Sequence, residues 1–249
     1  MKKIFLIAVS TLFFFSFSHA QLKDIFKKDS SGKSGLDKIV QKIPGKGSGN
    51  LTNDEVINGL KEALQVGTQR GTDKLSAIDG FFKDAAIKIL MPPEAQKVEK
   101  TLRSVGMGKQ VDKAILSMNR AAEDAAKSAT TIFVDAIKQM SIQDAFGILK
   151  GGDFAATNYL KEKTTASLTE AFRPVIEKSL KKVDATKYWN TVFTTYNNFS
   201  SEKVNTDLSA YVTDKALSGI FYQVGQEEQK IRKDPVARTT DILKKVFAN

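Results

Sequence analysis

From Leu51 onward, apolar residues recur at three- and four-residue spacing, the pattern of helices that bury one face. Thr52 and Glu55 form a capping-box pair ahead of Val56, Leu60, Ala63 and Leu64, and Gly67 is placed to stop that helix. Pro92-Pro93 opens another helix, because Pro fits the first turn. Gly106-Met107-Gly108 then separates it from a long helix carrying Val111, Ala114, Ile115, Met118, Ala122 and Ala125. Ile132 to Met140 reads as an apolar helix, and Ser141 with Asp144 repeats the capping pattern. Leu168, Ala171, Phe172, Val175, Ile176 and Leu180 make a further stripe, which Pro174 is expected to break or kink. Residues 187–199, KYWNTVFTTYNNF, are rich in strand-favouring types. Yet Trp189, Val192, Phe193 and Tyr196 fall at helical spacing, so this segment too is predicted helical. A long helix from about Asp207 to Lys233 follows, then a final one with Asp234 as N-cap and Pro235 at its first position. No alternating strands, coiled-coil heptads or long repeats interrupt the series. The prediction is a single all-α, multi-helix bundle-like domain over residues 51–249, long enough for one core.

The stretch QDAFGILKGGDFAATNYLKEK, residues 143–163, gathers acids, a glycine pair and a Tyr. It reads as a helix corner: Ile142 to Lys150 helical, Gly151-Gly152 the stop, Asp153 the N-cap of the next helix. Ala155, Ala156 and Tyr159 would follow as a face of small residues for close packing. It lacks the spacing and the Lys of a phosphate-binding loop, and Gly106-Met107-Gly108-Lys109 fails the same test.

The first fifty residues have a different texture. Lys2 and Lys3 precede an apolar run from Ile4 to Phe17, and Ser18-His19-Ala20 offers small residues at a cleavage site. The run is shorter than the ~20 residues of a spanning helix. Residues 1–20 are therefore expected to be a cleaved export signal, leaving a product from Gln21. No Cys follows the site, so a lipoprotein anchor is not expected, and the product is expected to be soluble and periplasmic or secreted. Residues 21–50, with SSGKSG and PGKGSGN, read as a flexible tether. They hold two short amphipathic pieces, Leu22-Ile25-Phe26 and Leu36-Ile39-Val40-Ile43.

Charge divides the same way. Residues 22–50 hold seven Lys against three Asp, whereas residues 51–249 hold 29 basic and 25 acidic side chains. The tether reads first as a partly ordered linker whose apolar turn docks on the body, and otherwise as a weak contact with an anionic membrane surface. With no basic–aromatic cluster, nucleic acid is not an expected partner. The chain has no Cys and its one His is His19, inside the expected signal. The product would thus lack disulfides, Cys/His zinc sites, Ser-His-Asp triads and Cys-His dyads. No cofactor or metal site is assigned, and what remains open is carboxylate, Lys, Ser or Tyr chemistry, or an oxygen-ligand metal such as calcium.

Arg is used sparingly: six against 32 Lys, namely Arg70, Arg103, Arg120, Arg173, Arg232 and Arg238. Where Lys is the default cation, an Arg points to fixed, forked geometry or to burial. Arg120 lies three before Glu123, Arg232 four after Glu228, and Arg238 three before Asp241. Glu228 stands on the stripe Leu217, Ile220, Phe221, Val224 and Ile231, where an apolar residue is expected. A carboxylate there needs a partner, and Arg232 and Arg120 are the candidates. This set fits two readings: a structural ion network fixing helix register, or a polar pocket for a small anionic or amphiphilic ligand.

Ser179-Leu180-Lys181-Lys182 matches the S-x-x-K serine pattern, but the companion S-D-N and K-T-G motifs are absent. A glycan hydrolase needs only two carboxylates, and no pair stands out among 28 acids.

Long segments resemble one bacterial family. SMNRAAEDA (117–125), IFVDAIKQMSIQDAFGILKGGDFAATNYL (132–160) and FRPVIEKSL (172–180) are similar to its central motifs. YVTDKALSGIFYQVGQEEQKIRKDPVARTTDILKKVF (211–247) is similar to its C-terminal signature. The family is domain of unknown function 4197. The resemblance implies an exported helical protein of the Gram-negative envelope, and implies that Asn119, Arg120, Glu123, Asp144, Asp153, Glu228, Arg232 and Arg238 act together. It supplies no catalytic residue. The expected function is a non-catalytic binding or scaffolding module of the envelope, its partner another envelope protein or a small amphiphilic or anionic ligand. The alternative is a carboxylate-dependent hydrolase acting on cell-wall glycan.

Overall fold

The helical periodicity is realised in a computed structural model, which describes residues 52–201, 203, 206–234, 236 and 244, apart from the side chains of Tyr188 and Val192. The chain divides into two compact units, Met1–Asn53 and Asp54–Asn249, and the first is described only at Thr52 and Asn53. The expected export signal, the tether, Arg238 and the helix predicted from Pro235 all lie outside the described residues.

Eight α-helices and no strand occur among the described residues. They are α1 (Asn53–Ser76), α2 (Gln96–Ser104), α3 (Gly108–Ala126), α4 (Ala129–Lys138), α5 (Ile142–Lys150), α6 (Ala155–Lys181), α7 (Ala185–Phe199) and α8 (Leu208–Lys233). A 3₁₀ turn, Pro93–Ala95, leads into α2, and Pro92 caps it, as the Pro pair predicts. The 27-residue α6 is the spine, about 40 Å long at 1.5 Å per residue. Its buried stripe of Leu160, Leu168, Phe172, Ile176 and Leu180 packs against α3 and α8, which also pack on each other. Each of these side chains is completely covered and contributes about 1.5–3 kcal/mol of hydrophobic stabilisation. None of the described helices is long and apolar enough to cross a membrane.

Three sequence expectations change. Gly67 does not end α1, which runs on to Ser76. Gly67 and Gly71 are buried on its inner face: a Cβ at Gly67 would lie 3.4 Å from Ile231 Cδ1, and one at Gly71 3.5 Å from Gln223 Cγ. These glycines lie against α8, where a Cβ would make ordinary contact, and not at a helix stop. Pro174 sits inside α6 without breaking it. Pro174 and Glu170, whose carbonyl loses its helical donor, are both exposed, so water can satisfy that carbonyl. Asp153 is not the N-cap of α6; that position is Phe154, which has no side-chain cap bond. The cap comes from α8, as described below.

Between α1 and the 3₁₀ turn, residues 77–92 run through turns without a regular helix. Asp79 there has φ +70°, and a Cβ on Gly80 would fall 2.4 Å from the Lys74 carbonyl oxygen. A segment this irregular needs partners for its backbone groups. Those partners are the polar residues that the sequence singled out on α3.

Candidate functional site

On α3, Asn119 and Glu123 stand one turn apart and both face inward. Asn119 Nδ2 donates to the Ile89 carbonyl (2.8 Å) and to the Ile115 carbonyl (2.7 Å), while its Oδ1 accepts from Ile89 N–H (2.9 Å). Its side-chain amide therefore pairs with Ile89 as a neighbouring peptide would. Glu123 Oε1 accepts from the N–H groups of Phe81 (3.1 Å) and Phe82 (3.2 Å). Arg120 closes the cluster, one arm on Glu123 Oε2 and the other on Asp79 Oδ1, each at 2.6 Å. Hydrogen bonds from Lys83 and then Arg120 hold the Asp79 carboxyl below the usual carboxylate range. Bonds from Glu123 and Asp79 push the Arg120 guanidinium up. The predicted Arg120–Glu123 pair is real, but its purpose is to hold residues 79–89 onto α3.

The second cluster lies at the corner between α5 and α6. Glu228, buried on α8, accepts from Ala156 N–H (3.0 Å), Thr157 N–H (2.8 Å) and Thr157 Oγ1 (2.7 Å). A side chain distant in sequence thus caps the N-terminus of α6 and places a negative charge where the helix dipole favours one. Arg232, one turn further, donates through Nε to Glu228 Oε1 (2.9 Å) and through Nη2 to the Ile148 carbonyl (3.0 Å) at the end of α5. Of the two cations considered for Glu228, Arg232 is the partner; Arg120 is engaged by Asp79 and Glu123. The cavity beside this pair measures about 20 Å³, room for a single water and not for a ligand.

The remaining site candidates are dispersed. Asp144 completes the capping box with Ser141, whose N–H (3.0 Å) and Oγ (2.7 Å) both donate to it. That bonding holds the Asp144 carboxyl below its ordinary value. Asp153 pairs with Lys233 at 2.8 Å on the surface. Gly151 is indeed the end of α5, at φ −75°. Space rather than φ requires glycine there, because a Cβ would meet that of Ala155 at 2.4 Å. The set of seven described candidates therefore forms two inward-facing clusters, a capping box and a surface pair, not one site. Sequence reasoning missed Asp79, Thr157 and Ile89, whose roles depend on contacts with residues far along the chain.

A larger opening lies elsewhere, a cavity of about 710 Å³ between α2, α3, α7 and the start of α8. Val98, Leu102, Val111, Ala114, Trp189 and Phe193 give it an apolar wall. α2 is amphipathic yet buries none of its residues completely, so Val98 and Leu102 face this space only half covered. Polar groups are few: Glu99, Gln110, Lys113, Ser117 and Asp184. Glu99 accepts from Arg103 Nε at 2.9 Å, and Arg103 reaches on to Asp112 at 2.8 Å. A shallower crevice holds Ser179 of the S-x-x-K sequence, whose hydroxyl donates to Asp124 (3.1 Å). Among the described residues, no group of three or more acids, His or Cys could hold a metal ion.

Comparison with curated proteins and with solved structures finds no match. The model of one family, described as protein of unknown function (DUF4197), matches residues 50–248, a span that contains both carboxylate clusters and the cavity. The chain belongs to that family.

Proposed function

We propose that this chain is a non-catalytic binding protein of the bacterial envelope, and that the cavity between α2, α3 and α7 takes a small amphiphilic molecule. The observation that carries this reading is the cavity itself. About 710 Å³ with an apolar wall and a few polar groups at its edge is the size and character of a small-molecule site. Lys113, whose ammonium has no partner among the described residues, offers a charge to a polar head group. The polar network, by contrast, is turned onto backbone groups, and the space beside Glu228 and Arg232 holds no more than a water, which supports the structural reading of Asn119, Glu123 and Glu228. The export-like pattern of residues 1–20 supports an envelope setting, and the basic tether of residues 21–50 supports weak contact with an anionic membrane.

A glycan hydrolase would have to use Glu99 and Asp184, the two acids on the cavity wall. Glu99 is already engaged by Arg103, so the binding reading is better supported.

Trp189 is the sole Trp of the chain and lies on the cavity wall, which provides the test. Residues 21–249 are titrated with 11-(dansylamino)undecanoic acid, reading energy transfer from Trp189. Saturable transfer is expected, weakened in Ala114→Phe, which narrows the cavity, with the helical circular dichroism retained. Transfer that never saturates, or that is equally tight in Ala114→Phe, would refute the cavity as the site. Native mass spectrometry of the same chain, purified without detergent from its own kind of cell, would then identify any natural occupant.

A further inference from the structure

Two turns border the mouth of this cavity: the one between α2 and α3, and the one between α6 and α7. Each presents apolar side chains to water. Val105 is 66% exposed and Met107 40% on the first, and Val183 is 53% exposed on the second. Nothing in the core requires these residues, since all three lie outside the helices on short connections. Cations flank both turns. Residues 99–113 hold Lys100, Arg103, Lys109 and Lys113 against Glu99 and Asp112, and residues 177–187 hold Lys178, Lys181, Lys182 and Lys187 against Glu177 and Asp184. Together they have eight cations and four acids, a net charge of +4. That equals the net charge of the whole of residues 51–249, 29 basic against 25 acidic; the residues outside the two stretches hold 21 of each sign. The two stretches that hold these turns thus carry an excess equal to that of residues 51–249; Lys113 itself lines the opening, while Lys178 and Lys182 line the crevice of Ser179, and Arg103 and Lys181 are ion-paired within their own stretches.

From this coincidence we infer that the cavity mouth is a docking face for an anionic lipid bilayer. The exposed Val105, Met107 and Val183 enter the head-group layer while the surrounding Lys side chains meet lipid phosphates. Exposed apolar residues on turns flanked in sequence by cations combine the two attractions that hold proteins at such surfaces, area removed from water and electrostatics. A protein partner would have to be acidic around an apolar centre; a bilayer containing anionic lipid has that chemistry across its whole surface. The inference deepens the binding reading in one respect, by making the cavity's occupant an amphiphile taken from the membrane. The docking itself stands on the exposed residues and the charge, and would survive loss of the cavity reading.

Absence of Cys allows single-site labelling of residues 21–249. Val105→Cys, Val183→Cys and Gly152→Cys are each labelled with nitrobenzoxadiazole. Gly152 is exposed, a side chain there meets nothing within 4 Å, and it lies at the far end of α6, about 40 Å from Val183. Vesicles of phosphatidylethanolamine and phosphatidylglycerol at three to one are compared with pure phosphatidylcholine. The tether is common to all three labelled proteins and so does not distinguish them. On anionic vesicles the probes at 105 and 183 should gain about twofold or more in emission and be quenched by doxyl-labelled lipid, with the probe at 152 unchanged. Changing Lys109, Lys182 and Lys187 together to Glu should weaken vesicle binding by about tenfold or more. Unchanged emission at both 105 and 183, equal gain at 152, or equal gain on phosphatidylcholine would each overturn the proposal. Ala114→Phe separates the two readings: it should weaken transfer to the dansyl fatty acid and leave the vesicle response intact. Docking without fatty-acid binding would refute only the cavity, and fatty-acid binding without docking only the membrane face.

Discussion

Replacing Glu228 by Ala probes the corner between α5 and α6 most directly. The carboxylate is 7% exposed and accepts two backbone N–H bonds, a Thr157 hydroxyl bond and the Arg232 guanidinium. Truncation leaves the first amides of α6 without an acceptor and Arg232 without its counter-charge. Losing an N-cap costs about 1 kcal/mol, and breaking a buried ion pair by removing one partner costs about 3–5 kcal/mol. Arg232 is 15% exposed on its side chain and keeps the Ile148 carbonyl, so part of its charge can be rehydrated. The expected loss is therefore near the lower end, about 3 kcal/mol, or roughly 6–12 °C in Tm for a domain of this size. Glu228→Gln keeps an acceptor at the right length and should lose clearly less. Urea unfolding followed by far-ultraviolet circular dichroism measures both, and hydrogen exchange at Ala156 and Thr157 localises the effect. A loss below about 1 kcal/mol, with exchange at those amides unaltered, would show that Glu228 does not cap α6 and would refute the reasoning.

Three further outcomes follow from the same geometry. Asn119→Ala strips the Ile89 peptide of both its partners and should cost about 3 kcal/mol, with faster proteolysis confined to residues 77–92; unaltered cleavage there would contradict the pinning role. Gly80→Ala brings a Cβ within 2.6 Å of two backbone oxygens and should destabilise by about 3 kcal/mol, whereas Gly147→Ala, on an open helix face, should be neutral or slightly stabilising; equal melting of the two variants would be inconsistent with the 77–80 turn. Burial, and after it the nearby Glu94, pushes the Tyr211 phenol up to about 12. Since that exceeds the unfolded value of about 10, the stabilisation from its neutral form is complete below pH 10 and is lost as pH rises towards 12. Absorbance titration of wild type minus Tyr211→Phe should show a midpoint near 12, and a midpoint near 10 would show that the phenol is not buried.

How much was legible in the sequence depended on how local each interaction is. The Ser141–Asp144 box and the Arg120–Glu123 and Glu228–Arg232 pairs sit three or four residues apart, and helical geometry alone brings such residues together. The Arg signal held because the guanidinium is a planar fork: Arg103, Arg120 and Arg232 each have one acceptor three or four residues away and place a second arm on a more distant one. Gly67 was misread because glycine at a helix end and glycine at a helix crossing look alike until the opposing surface is present. Asp153 was misread because a good N-cap residue was available locally while Glu228, 72 residues beyond Ala156, already satisfied those amides.

By itself, then, the sequence determined that this is an all-helical domain, where most of its helices run, and that Glu228 had to find a cation, because 3.6-residue periodicity and the cost of burying a lone charge are local facts. The tertiary structure alone decided that Glu123 and Asn119 hold an irregular segment, that Glu228 caps a distant helix, and that α2 and α7 stand apart enough to leave an apolar cavity. Long-range contacts of this kind are set by how helices of fixed length pack against one another, and no window of neighbouring residues contains that information.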